Sequence, residues 1–129
     1  MTDSAVVSKK ILVVEDSKVI SGLLGEILED EGYLVFYAEN GNQAIAQAFA
    51  TQPQLILMDL SLPELNGWEV VKRLRTASEF YTTPIIAVTA YVSTSDRHRA
   101  MSIGCTDYIS KPFDIDMMLK RVGELLRGK

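Results

Sequence analysis

One cysteine, one histidine and four prolines in 129 residues are all the chain has of each, and the shortages exclude several readings. Cys105 has no second cysteine to pair with, so no internal disulfide staples the fold, which fits a reducing cytoplasm. No apolar run approaches the roughly 18 residues needed to span a membrane. The opening MTDSAVVSKK lacks the long apolar core and cleavage pattern of a signal peptide. Basic residues are in deficit, 13 Lys and Arg against 17 Asp and Glu, for a net charge of −4. Nucleic-acid binding needs clustered Lys and Arg on phosphates, and no basic stripe exists here. His98 stands alone in a polar stretch and is given no role. Cys105 after Gly104 reads as a small buried residue, and Met101, Met117 and Met118 as packing.

What the chain does have is apolar runs of strand length. Ile11-Leu12-Val13-Val14, Leu55-Ile56-Leu57-Met58 and Ile85-Ile86-Ala87-Val88 are continuous, as expected of strands buried on both faces of a parallel sheet. Tyr33 to Ala38 and Asp107 to Ser110 supply two more strands. Between them lie helical patterns. From Val19 the apolar residues fall at 19, 20, 23, 24, 27 and 28, one helical face ending at Gly32. Ala44, Ile45, Ala48 and Phe49 mark a second helix. Trp68, Val70, Val71 and Leu74 mark a third, over Glu64 to Ala77. Ser95 to Ser102 is a polar fourth, and Asp114 to Arg127 carries Ile115, Met118, Leu119, Val122, Leu125 and Leu126 as the fifth.

Five strands alternating with five helices predict one α/β domain, a doubly wound (βα)5 sandwich with a five-stranded parallel sheet. Right-handed crossovers and the strand order 2-1-3-4-5 set strands 1 and 3 side by side at the topological switch point. Residues 1–9 form a short N-terminal segment expected to be flexible, and 10–129 the domain.

That topology brings the strand ends into one cleft. Strand 1 ends on Glu15 and Asp16, strand 3 on Asp59 and strand 4 on Thr89, while strand 5 leads into Lys111. Singly, the acids read as favouring a helix N-terminus, Thr89 as strand filler and Lys111 as a surface charge. Together, crowded carboxylates repel one another and need cations. Lys111 supplies one charge, and a hard divalent ion taking oxygen ligands, best Mg²⁺, supplies the rest.

The motifs VVED at 13–16, LILMDLSLPELNG at 55–67, VTA at 88–90 and YISKPF at 108–113 stand in order at these separations. With them the chain resembles the receiver domain of two-component response regulators, the CheY-like fold, from about Lys10 to Leu126. The resemblance implies that Asp59 is the phosphoryl acceptor, fed by a histidine kinase or histidine phosphotransferase. It implies Mg²⁺ on Glu15, Asp16, Asp59 and the main-chain carbonyl of Ser61, with the longer Glu15 reaching the ion through water. Lys111 would hold one phosphoryl oxygen and Thr89 another. Tyr108 would turn inward once the group is present, repacking the strand 4–helix 4–strand 5 face for a downstream protein target or a dimer. Pro112 would follow a cis peptide after Lys111. Ser61 and Tyr91 would tune the lifetime of the phosphate, with Tyr91 as a shield.

On the first helix, Lys18, Gly22, Gly25 and Glu29 lie opposite the apolar stripe. Two helix glycines there predict close approach of a partner backbone, with Lys18 and Pro112 at the same docking face. No residues follow Lys129, so a stand-alone, cytoplasmic phosphoacceptor that is not an enzyme in the ordinary sense is expected. Two alternatives stand beside it. One is an aspartate-nucleophile phosphatase, which would place an acid at position 61, where this chain has Ser. The other is a pseudo-receiver acting only as a binding module.

Overall fold

A computed structural model describes residues 8–63, 65–90 and 93–127. In order the elements are β1 (Lys10–Val14), α1 (Lys18–Asp30), β2 (Leu34–Ala38), α2 (Gly41–Thr51), β3 (Leu55–Met58) and α3 (Gly67–Thr76). A 3-10 turn at Ser78–Phe80 follows, then β4 (Ile85–Thr89), α4 (Thr94–Ile103), β5 (Asp107–Ser110) and α5 (Ile115–Arg127). All strand pairs are parallel, in the order β2-β1-β3-β4-β5. Most of the expected 1–9 segment lies outside the described residues.

The apolar runs are buried because successive side chains feed opposite faces. Leu12, Val14, Ile56, Met58, Ile85 and Ala87 join the core under α2, α3 and α4. Ile11, Val13, Leu55, Leu57, Ile86 and Val88 join the core under α1 and α5. All five helices begin at short polar side chains that accept from backbone amides in the first turn, Asp114 serving α5 by accepting from Met117. The other four are Ser17 for Ile20, Asn40 for Gln43, Asn66 for Glu69 and Ser93 for Asp96. The Asn66 cap delays α3 to Gly67, three residues after the start the sequence suggests.

One helix departs from its pattern. On α1 the spacing places six apolar residues on one face, yet Val19 is 82% and Leu23 45% exposed. Leu24, Gly25 and Leu28 are the buried residues of α1, so the seam is rotated away from the stripe's outer edge. Gly25 is therefore not on the outer surface. A Cβ there would stand 1.8 Å from the Tyr37 hydroxyl, so the close approach is made by the protein's own β2 side chain. As its polar sequence predicts, α4 carries no apolar stripe: Ala100 is its buried residue, with Ile103 partly packed against the core.

Candidate functional site

The register assembles the site. Val14 pairs with Met58, so Glu15 and Asp59 leave the sheet side by side. Thr89 pairs with Ser110, and the Lys111 amide donates to the Thr89 carbonyl at 2.8 Å, which turns the lysine toward the acids. The Lys111–Pro112 peptide is cis. Gly67 closes the loop after Asp59, where a Cβ would meet the Asp59 carbonyl at 2.4 Å. No side chain but hydrogen lets α3 start so near the acid, a role the sequence pattern alone does not reveal.

Lys111 Nζ donates to Glu15 Oε1 at 2.8 Å and to Asp59 Oδ2 at 3.1 Å. Glu15 and Asp59 are both buried, whereas Asp16 is exposed. The second oxygen of each buried acid is also engaged. Glu15 Oε2 accepts from the Ser17 amide at 3.1 Å and Asp59 Oδ1 from the Ser61 amide at 2.9 Å. Ser61 thus orients the acid through its N–H. Burial pushes the Glu15 carboxyl above its usual range, against the Lys111 and Ser17 hydrogen bonds, and the Asp59 charge adds to the rise. Burial works to lower Lys111, but hydrogen bonds and charge from Glu15 and Asp59 outweigh it and hold the ammonium above its usual value.

Glu15, Asp16 and Asp59 each offer a carboxylate oxygen, and these lie within 4.8 Å of one another. Three carboxylates against one ammonium leave two negative charges uncompensated, and all the side-chain donors are hard oxygens. That donor set fits a divalent ion such as Mg²⁺. Thr89 is fully buried on the β4 side of the cleft.

The remaining expected residues divide. Tyr108 is already inward, 7% exposed and packed in the α2–α3–α4 core. Its hydroxyl is buried without a hydrogen-bond partner. Lys18 bonds Glu39 at 2.7 Å on the surface, and Gly22 faces open space. Tyr91 lies outside the described residues. Beside the site, Ile20, Leu23, Pro112, Phe113 and Ile115 line a groove of about 410 Å³, with Lys111 at its edge. The exposed edge of the α1 stripe is one wall of that groove, a use that periodicity alone could not separate from core.

No described helix is long and apolar enough to cross a membrane. The family model of the response regulator receiver domain matches residues 11–123. The polar-differentiation response regulator DivK of Brucella anthropi is 36% identical over 118 residues, covering 92% of this chain and 96% of that protein. The DNA-binding dual master transcriptional regulator RpaA of Synechocystis is 39% identical over 118 residues, but the match spans only 49% of its length. Among solved structures, the chemotaxis protein CheY4 of Vibrio cholerae superposes with a TM-score of 0.87 at 31% identity, covering 92% of this chain and 99% of that one. A response regulator from Chloroflexus aurantiacus gives 0.89 at 29% identity, covering 94% and 99%.

Proposed function

Because the chain belongs to the response regulator receiver domain family, we propose that it is a phosphoacceptor switch in which Asp59 takes a phosphoryl group from a histidine kinase or histidine phosphotransferase. The observation that carries this reading is Lys111 Nζ lying within hydrogen-bond distance of both Glu15 and Asp59 at the mouth of a three-carboxylate cluster. In the transfer an Asp59 carboxylate oxygen attacks phosphorus and forms an acyl phosphate. The P–N bond to the donor histidine breaks, and the imidazole nitrogen keeps the electron pair and takes a proton from solvent.

This chain's residues prepare that step before the donor arrives. The Ser61 amide fixes the Asp59 carboxylate through Oδ1. Two of the three Lys111 N–H donors are committed to Glu15 and Asp59. The third is available to an incoming phosphoryl oxygen. Asp16, Asp59 and the Ser61 carbonyl would hold Mg²⁺, with Glu15 alongside as the residue that fixes Lys111. The ion, when bound, neutralises charge on the transferring oxygens. Once the group is in place the Thr89 hydroxyl bonds one of its oxygens, and Tyr108 beside it registers the change. Slow attack by water on the acyl phosphate returns the protein to its resting state.

The groove of Ile20, Leu23, Pro112, Phe113 and Ile115 suits the apolar face of a donor's helix, and it replaces the paired glycines as the docking feature of α1. Of the two, Gly22 keeps an open surface and Gly25 does not. Incubation with a small acyl phosphate and Mg²⁺, followed by intact-mass measurement, tests the reading. A single phosphoryl adduct, absent in Asp59→Asn, is expected. Turnover of phosphomonoesters without an adduct would make the protein a phosphatase. Absence of both would leave a binding module only.

A further inference from the structure

The cleft that holds Asp59 is short of positive charge. Lys111 is one ammonium against Glu15, Asp16 and Asp59, and its Nζ already donates to two of them. A phosphoryl donor brings further negative charge to that mouth, so its approach is opposed until more cation is supplied. A second ammonium borders the same acids. Lys18, the first residue of α1, lines a cavity of about 290 Å³ together with Glu15, Gly22, Tyr37 and Glu39. Glu15 thus belongs to both places: it shares Lys111 with Asp59, and it lines the cavity of Lys18.

In the resting chain that second charge is cancelled. Lys18 Nζ donates at 2.7 Å to Oε2 of Glu39, which lies between β2 and α2. The lysine side chain is 79% exposed and that of Glu39 51%, so water competes for both ends and the pair is weakly held. Nothing crowds the lysine stem either. Gly22 follows one turn later on the same side of α1, and a Cβ there would meet nothing within 4 Å. A phosphoryl group, with up to two charges and three acceptor oxygens, is a stronger partner for an ammonium than one solvated carboxylate.

We propose that Lys18 is a second cation of the phosphoryl-transfer site, held in reserve by Glu39 and released to the donor's phosphoryl oxygens when a dianionic group enters the cleft. The proposal rests on Asp59 being the phosphoacceptor. It makes the Lys18–Glu39 pair a determinant of donor preference, because the gain from Lys18 grows with the charge on the incoming group.

The test uses the whole chain with Mg²⁺ at neutral pH and two small donors, a dianionic acyl phosphate and the monoanionic phosphoramidate. The rate of adduct formation is read by intact mass. Both side chains are exposed, so neither substitution should unfold the chain. Lys18→Gln should slow uptake from the acyl phosphate by about threefold or more at low salt, and uptake from phosphoramidate by less. Lys18→Arg should restore the rate, and about 0.5 M salt should shrink the deficit of Lys18→Gln. Glu39→Gln frees the lysine and should speed uptake from the acyl phosphate by about twofold or more. The same change in a Lys18→Gln background should have a smaller effect. An equal or larger effect there overturns the proposal, because Glu39 would then act by plain repulsion. A Lys18→Gln chain that matches wild type, or that slows alike with both donors, overturns it too, and the adduct itself leaves the phosphoacceptor reading standing. No adduct on wild type from either donor removes that reading and this proposal with it.

Discussion

The two ends of the sheet treat buried charge in opposite ways. At the carboxyl ends of the strands, Glu15, Asp16 and Asp59 crowd around one ammonium, and the balance is left negative. At the other end, the Arg75 guanidinium sits among neutral oxygens from Phe80, Thr83, Gly104 and Thr106. Burial lowers the Arg75 pKa somewhat, but every contact it makes accepts a hydrogen bond. One end is a charge imbalance that a ligand can correct, and the other a satisfied network with nothing left to bind. Reactivity and rigidity come from the same ingredient, a buried ion, and differ in whether its partners complete it.

Breaking the rigid end should cost most. Arg75→Ala leaves four oxygens without their donor, each expected to cost on the order of 1 kcal/mol or more, so a loss of about 3–5 kcal/mol is predicted from denaturant unfolding. Mg²⁺ should restore none of it. A loss under about 1 kcal/mol would mean that water satisfies the pocket and the contrast between the two ends is false.

Lys111→Ala should cost less, about 2–3 kcal/mol in the absence of metal, because the pocket opens to solvent on the side of the exposed Asp16. Here Mg²⁺ should recover part of the loss, since the ion replaces the missing cation. The pH dependence sharpens this. The folded-state pKa of Lys111 lies above its ordinary 10.5, so its stabilisation is complete below that value and is lost as pH rises through the folded pKa. Wild type should therefore lose stability above pH 10.5 more steeply than Lys111→Ala. Glu15 has the opposite sign: its folded pKa is raised, so its charge weakens the fold at neutral pH, and that cost fades as pH falls through the folded value.

Mg²⁺ itself should stabilise wild type by about 1.4 kcal/mol at ten times its dissociation constant. Asp16→Asn should need far more metal for the same thermal shift. An equal response would remove Asp16 from the ion's ligands.

The smallest effects separate the two α1 glycines. Gly22→Ala faces open space and should gain about 0.5–1 kcal/mol from helix propensity. Gly25→Ala must displace the Tyr37 hydroxyl and should give a net loss, read as a lower thermal midpoint. A gain in both would restore the outward-facing reading.

The acid–lysine site was legible because each member ends or follows a buried strand, and strands buried on both faces announce themselves as apolar runs. Cys105 was also legible as a small buried residue, and that burial pushes its thiol up to about 11. Val19 and Leu23 were not, because a helical stripe looks the same whether its edge meets core or lines a groove. Arg75 and the Arg99–Trp68 pair were invisible for another reason. Their partners lie 29 and 31 residues away in sequence, and no local pattern marks a guanidinium that will find carbonyls or a ring.

Local chemistry therefore determined the order of strands and helices, the parallel sheet and the convergence of acid and lysine at its carboxyl edge. It could do so because apolar run length and helix caps act within a few residues. Only the tertiary structure decided that Tyr108 is already inward, that Gly25 belongs to Tyr37, and that Arg75 bonds the Gly104 carbonyl at the end of α4. Those outcomes depend on which surfaces the crossovers bring together, and that is a property of the packed whole.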